Sequence, residues 1–176
     1  MSAELEQKGH GLIFLVGFMG CGKTTWARKL AAKLECDFMD LDHVLEAKVG
    51  MAIPEYFNAH GESAFRQLES DVLKQTDYPA SAIVSTGGGL PCFFDNMDWM
   101  NSHGKSIYIR LSPKTLGDRL ENAKTVRPVL QGKKGDELVA FITEKLAERE
   151  GFYNRATFII DGIDMSVEKL EAVITE

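Results

Sequence analysis

The segment with the clearest chemistry in this chain is Gly17-Phe18-Met19-Gly20-Cys21-Gly22-Lys23-Thr24. Its Gly-x4-Gly-Lys-Thr spacing lets successive backbone N–H groups turn inward around a phosphate, and a helix starting directly afterwards adds the positive end of its dipole. Lys23 is then placed to reach the β- and γ-phosphates of a nucleoside triphosphate. The Thr24 hydroxyl is placed to ligate Mg²⁺, a hard cation that takes oxygen ligands. Gly20, Cys21, Gly22, Lys23, Thr24 and Thr25 are the candidate nucleotide-binding residues. The apolar run before the loop and the helical pattern after it supply the context the motif requires, which a Gly-rich turn before an ordinary helix lacks.

Carboxylates, glycines and arginines further along can complete such a site. Asp40-Leu41-Asp42 stands where a second strand should end. One acid there can face the metal shell, and the other, Asp42, can act as general base on an acceptor hydroxyl. Alternation along an extended segment would point both to one side, while helix N-capping by Asp42 is the competing role. Ser85-Thr86-Gly87-Gly88-Gly89 follows a third apolar run. Three glycines at a strand's carboxyl end permit close approach of backbone to ligand, and equally a plain turn. Arg66, Arg127 and Arg149 are the cations of interest, each with a solvated surface role as its alternative. Pro128 holds Arg127 extended, an orientation that can aim its guanidinium at a transferring phosphoryl group.

These residues need a scaffold, and the hydropathy pattern describes one. Apolar stretches of strand length at Leu12–Val16, Asp37–Asp40, Ala82–Ser85, Ser106–Leu111 and Thr157–Ile160 alternate with helical-period segments near 23–34, 42–49, 61–75, 93–102, 113–121, 136–150 and 166–175. That alternation predicts an α/β fold with a parallel sheet covered on both faces. Two stretches interrupt it, Val49–Glu62 and the Lys- and Gly-rich segment 121–135, which is either a surface loop or a lid over a nucleotide. No internal repeat or linker divides the 176 residues, so a single domain is expected.

Composition narrows the partners. A net charge of −6 and the lack of a long basic run argue against nucleic acid or an anionic membrane surface as the main partner. Three widely spaced cysteines form neither a CxxC pair nor a disulfide scaffold, which fits the reducing cytoplasm. Met1 to His10 lacks the pattern of a signal peptide, and no apolar run has membrane-spanning length. A thiol beside Lys23 at a helix N-terminus makes Cys21 a candidate for redox sensitivity.

With GFMGCGKT, FMDLDHVLE, GESAFRQLE, STGGG, VRPVL and Glu148-Arg149-x-x-x-Tyr153 in this order, nearly the whole chain resembles the shikimate kinases, small-molecule kinases with a phosphate-binding loop. The resemblance implies a three-layer sandwich with a five-stranded parallel sheet in the order 2-3-1-4-5, a substrate-binding segment near 42–75 and a mobile lid at 121–135. It implies ATP and Mg²⁺ as cofactors and shikimate as the partner small molecule; a monomer is the default expectation. Asp42, Arg66, the Gly87, Gly88 and Gly89 backbone and Arg149 would form the shikimate set, the arginines holding the carboxylate and Asp42 activating the 3-hydroxyl. Lys23 and Arg127 would contact phosphates, Thr24 would ligate the metal, and Asp40 would lie near it through water. Ile53, Phe57 and Phe65 would either wall the ring or pack as core.

Two positions depart from the family's adenine site. The loop Asp161–Ser166 has no proline, and Arg119 stands one residue out of register for stacking on the base. Three other functions are weighed against the shikimate reading: a gluconate-type kinase, a nucleotide-binding regulator without catalysis, and a GTPase switch. The last lacks an Asn-Lys-x-Asp segment.

Overall fold

The computed structural model describes residues 9–123 and 127–176. Five parallel strands, β1 (Leu12–Val16), β2 (Asp37–Asp40), β3 (Ala82–Ser85), β4 (Lys105–Arg110) and β5 (Phe158–Asp161), lie in the order β2-β3-β1-β4-β5. Seven α-helices alternate with them among the described residues: α1 (Lys23–Leu34), α2 (Leu41–Val49), α3 (Ile53–Gln75), α4 (Asn96–His103), α5 (Pro113–Glu121), α6 (Gly135–Tyr153) and α7 (Val167–Thr175). Helices cover both faces of the sheet, with α1 packed on α7 and α5 on α6. Central β1 and β3 are buried on both sides, which is why they read as unbroken apolar runs rather than alternating ones.

The chain runs from β1 to one side of the sheet and, after β3, crosses to the other, so the carboxyl end of β1 is a topological switch point where a crevice opens. The register places Ser85 beside both Asp40 and Leu15. The loops after β1, β2 and β3 therefore emerge side by side at one sheet edge.

Several local expectations are corrected. Strand β2 ends at Asp40, whose Oδ1 accepts the Asp42 N–H at 2.9 Å, so Asp40 rather than Asp42 caps α2. Asp42 sits in the first helical turn, and strand alternation does not explain where it points. Most of the stretch expected to be irregular, 49–62, is the first half of α3. Its start is held by Glu46, whose Oε2 accepts the Ile53 N–H at 3.2 Å, and it bends at Gly61 (φ 85°). Helix α4 begins three residues later than the periodicity suggests, because a 3₁₀ turn over Leu90–Cys92 and a left-handed Phe94 (φ 51°) intervene. Strands β4 and β5 each sit one residue earlier or later than expected.

The segment expected as a lid contains a 3₁₀ turn over Pro128–Leu130, and Leu130 is buried against the core. Lys124, Thr125 and Val126 of that segment, like residues 1–8, lie outside the described residues.

Candidate active site

The phosphate loop is closed on itself. Gly22 takes φ 94° as the N-cap of α1, a left-handed conformation that L side chains adopt only with strain. Lys23 is 9% exposed, and its Nζ donates to Gly17 O at 2.7 Å and Phe18 O at 3.1 Å. The ammonium thus ties the end of the loop back to its beginning. Thr24 Oγ1 donates to Asp40 Oδ2 at 3.3 Å and lies 3.2 Å from Ser85 Oγ. Two hydroxyls and one carboxylate at this edge make an all-oxygen donor set. Among the described residues no three His, Cys, Asp or Glu side chains cluster. Such a sparse set fits Mg²⁺, which keeps most of its shell as water and phosphate oxygen.

The acceptor side is built on the glycine run after β3. A Cβ on Gly87 would lie 2.8 Å from Glu69 Oε2 and 3.1 Å from Asp42 Oδ1. A Cβ on Gly88 would meet Met19 N at 3.2 Å and an Arg149 amino nitrogen at 3.8 Å, and one on Gly89 would collide with the Arg66 guanidinium. The three glycines are therefore the meeting point of α2, α3, α6 and the phosphate loop, with no room for side chains. Tyr153, four residues and one helical turn from Arg149, donates its hydroxyl proton to Gly88 O and ties α6 to this run.

Arg66 donates to buried Glu69 Oε1 at 2.7 Å, and its Nε, 3.5 Å from Glu62, makes no hydrogen bond. Arg149 stacks over Phe18 at 5.6 Å, and its Nη1 is likewise buried without a hydrogen-bond partner among the described residues. Two guanidiniums therefore meet one glycine run, Arg149 with a buried donor that has no acceptor among the described residues and Arg66 with a buried Nε that makes only a 3.5 Å ion pair; a buried donor without a good acceptor is costly, so this edge favours an anion.

Burial pushes the Asp42 carboxyl up from its ordinary value, and neighbouring Asp40 adds to this, while Lys23 and Arg127 pull it back. Arg127 is exposed in the turn, yet its charge acts on Asp42 from across the cleft. Burial likewise raises Glu69 from 4.5 to about 7, against the pull of Arg66.

Of the residues singled out by sequence, Lys23, Thr24, Asp40, Asp42, Arg66, Gly87, Gly88, Gly89 and Arg149 come together with the loop of Gly20, Cys21 and Gly22 at one sheet edge; Thr25 and Arg127 are exposed. Phe65 is core, while Phe57 is 37% exposed with its ring 5.6 Å from that of Phe65. Arg119 Nη1 reaches Cys21 O at 3.5 Å, so despite its register it lies against the phosphate loop. Cys21 is buried, which removes the access that redox sensitivity would need. Ser85 and Glu69 were not anticipated. Glu69 had a readable signal, being three residues after Arg66 on one helix face, a spacing at which opposite charges meet.

Comparison with known proteins bears on what this cleft does. The family model for shikimate kinase matches residues 19–176. Shikimate kinase from Parabacteroides distasonis is 44% identical over 156 residues, covering 89% of this chain and 90% of that protein. The crystal structure of shikimate kinase from Bacteroides thetaiotaomicron superposes with a TM-score of 0.84 at 39% identity, covering 94% of each chain. Shikimate kinase from Acinetobacter baumannii in complex with shikimate superposes with a TM-score of 0.81 at 31% identity, covering 94% of this chain and 90% of that one.

Proposed function

This chain belongs to the shikimate kinase family, and from that premise we propose that it transfers the γ-phosphoryl group of ATP to the 3-hydroxyl of shikimate, releasing ADP and shikimate 3-phosphate. The observation that carries the acceptor assignment is the convergence of the Arg66 and Arg149 guanidiniums on the glycine run beside Asp42, with Arg149 Nη1 buried and without a hydrogen-bond partner among the described residues. One carboxylate satisfies both arginines, and a hydroxyl on the same ring can then reach Asp42.

Asp42 accepts the hydroxyl proton as the oxygen attacks phosphorus in line, and the bond to the β-phosphate bridging oxygen breaks. Its raised proton affinity suits this role, because a base of ordinary carboxylate strength would hold that proton more weakly. Lys23 leaves Gly17 O and Phe18 O for phosphate oxygens, and Arg127 adds positive charge from the turn near Asp42. The amides of Gly20, Cys21, Gly22, Lys23, Thr24 and Thr25 cradle the phosphates. Mg²⁺ would be held by Thr24 directly and by Asp40 through water, where it would neutralise charge on the β- and γ-phosphates. The segment 121–135 serves as a lid that excludes water, so that transfer outcompetes hydrolysis. The chain works as a monomer in the cytoplasm, a reading supported by its three free cysteines.

Measuring ADP release with ATP and Mg²⁺, alone and with shikimate or gluconate, tests this. Shikimate alone should stimulate release strongly, and Asp42→Asn should abolish the stimulation. Equal stimulation by gluconate would remove the assignment of Arg66 and Arg149 to the shikimate carboxylate.

A further inference from the structure

Phe93 is a half-buried aromatic residue that does not pack with the hydrophobic core, although its neighbour Cys92 and nearby Trp99 do. Its ring lies instead against Arg66, with the guanidinium carbon 4.5 Å from the ring centroid, closer than the 5.2 Å to Phe65. We propose that Phe93 is a positioning residue for the acceptor carboxylate, its ring holding the Arg66 guanidinium in the plane that meets the carboxylate. This rests on the assignment of Arg66 to the shikimate carboxylate made above.

The position of the ring is itself heavily constrained. Cys92 N–H donates to Gly89 O at 3.0 Å, closing the turn that begins at the glycine run. Asn96, fully buried, donates from Nδ2 to Leu90 O at 2.8 Å and accepts from Ser70 Oγ at 2.8 Å, while its backbone N–H donates to Phe93 O at 3.2 Å. Ser70 lies on α3 one turn after Arg66, so a single satisfied amide locks the turn that carries Phe93 to the helix that carries the arginine. The left-handed Phe94 that follows is 60% exposed, so of the two phenylalanines in this turn only Phe93 is turned inward, onto Arg66.

The chemistry follows from guanidinium shape. A flat cation recognises a carboxylate through its edge, so rings can cover its face without competing for the donors. Glu69 fills one edge position at Nη1, and Nε lies 3.5 Å from exposed Glu62 without a hydrogen bond among the described residues. An aromatic face also removes water from the cation while keeping it charged, which strengthens the carboxylate pairing in the cleft. A Leu at this position would fill space without the ring quadrupole and leave the guanidinium plane held by Glu69 and the more distant Phe65 ring.

The test is steady-state kinetics on Phe93→Leu, Phe93→Met and Phe93→Tyr, with melting temperatures recorded alongside. For Leu and Met, KM for shikimate should rise about five- to thirty-fold, with kcat and KM for ATP within about twofold of wild type. Phe93→Tyr, which retains the ring, should keep KM for shikimate near wild type. Shikimate carboxamide as acceptor should show no penalty from Phe93→Leu, because the charge that Arg66 reads is gone; loss of packing alone would penalise both acceptors equally. An unchanged KM for shikimate in both Leu and Met variants, or an equal penalty with the carboxamide, overturns the positioning role. A wild-type enzyme indifferent to shikimate would instead overturn the acceptor assignment, and this inference with it.

Discussion

On the phosphate side of the cleft Lys23 is bonded to two loop carbonyls and Thr24 to Asp40 and Ser85, whereas on the acceptor side Arg66 Nε and Arg149 Nη1 are buried with no hydrogen-bond partner among the described residues. A phosphate must therefore exchange existing protein bonds for new ones, and its charge is what makes the exchange favourable. Any nucleoside triphosphate carries that charge, so this half discriminates weakly. The acceptor half holds Arg149 Nη1 without an acceptor among the described residues and an Arg66 Nε that only an ion pair at 3.5 Å to Glu62 approaches, so a ligand anion placed there relieves a cost that a ligand without one leaves in force. On the proposed function, selectivity for the acceptor resides in α3 and α6, and phosphate chemistry in the loop after β1.

The sharpest way to break this division is at Asp42. Replacing it with Asn should lower kcat by about 10²- to 10⁴-fold with little change in either KM, measured by coupled ADP release, since it removes the proton acceptor and keeps the shape. Lys23→Met should cost kcat about 10²- to 10³-fold, as expected for one preorganised charge at the transferring group, and should spare shikimate binding measured without ATP. Arg149→Gln should raise KM for shikimate about 10- to 100-fold and leave KM for ATP unchanged. An equal rise in both constants would mean the two halves are not separable.

Two pH effects sharpen the comparison further. Because the Asp42 carboxyl is raised, the acid limb of kcat/KM for shikimate should lie above the ordinary value of 3.8, and its absence in a full profile would remove Asp42 as the base. Glu69 should give the smallest effect on turnover and a distinct one on stability. Its carboxyl is about 4.5 unfolded and about 7 folded, so the native state binds the extra proton between these values. Stability then falls as pH rises from 4.5 to 7 and is level above. Thermal melts of Glu69→Gln should lose much of that slope, while wild type keeps it.

The sequence was informative wherever function depends on short-range order. Gly17 to Thr24 specified the phosphate loop, because the strand before it, the glycine spacing and the helix after it are all local. The five strands were readable because a parallel sheet buried on both faces leaves continuous apolar runs. The motifs at Asp40, Asp42, Arg66, Gly87 to Gly89 and Arg149 identified the residues of the cleft without saying how they would face one another. Local signals failed where a cap or turn was set from a distance. Glu46 starts α3 from another helix, and Asp40 takes the capping role that stood as the alternative reading of Asp42.

Tertiary structure alone decided which polar groups are satisfied and which are not. Glu69 reads as a surface acid in a helical ladder, and only the arrival of Asp42 and the glycine run beside it buries its carboxyl and pushes it up to about 7. Arg66 and Arg149 read as two charges far apart in the chain, and only the packing of α3 and α6 around Gly88 and Gly89 removes water from both. The physical reason is that spacing along a chain reports which residues share a strand or helix face. Desolvation and unpaired donors depend on what other elements bring to that face, which the residues themselves do not encode locally.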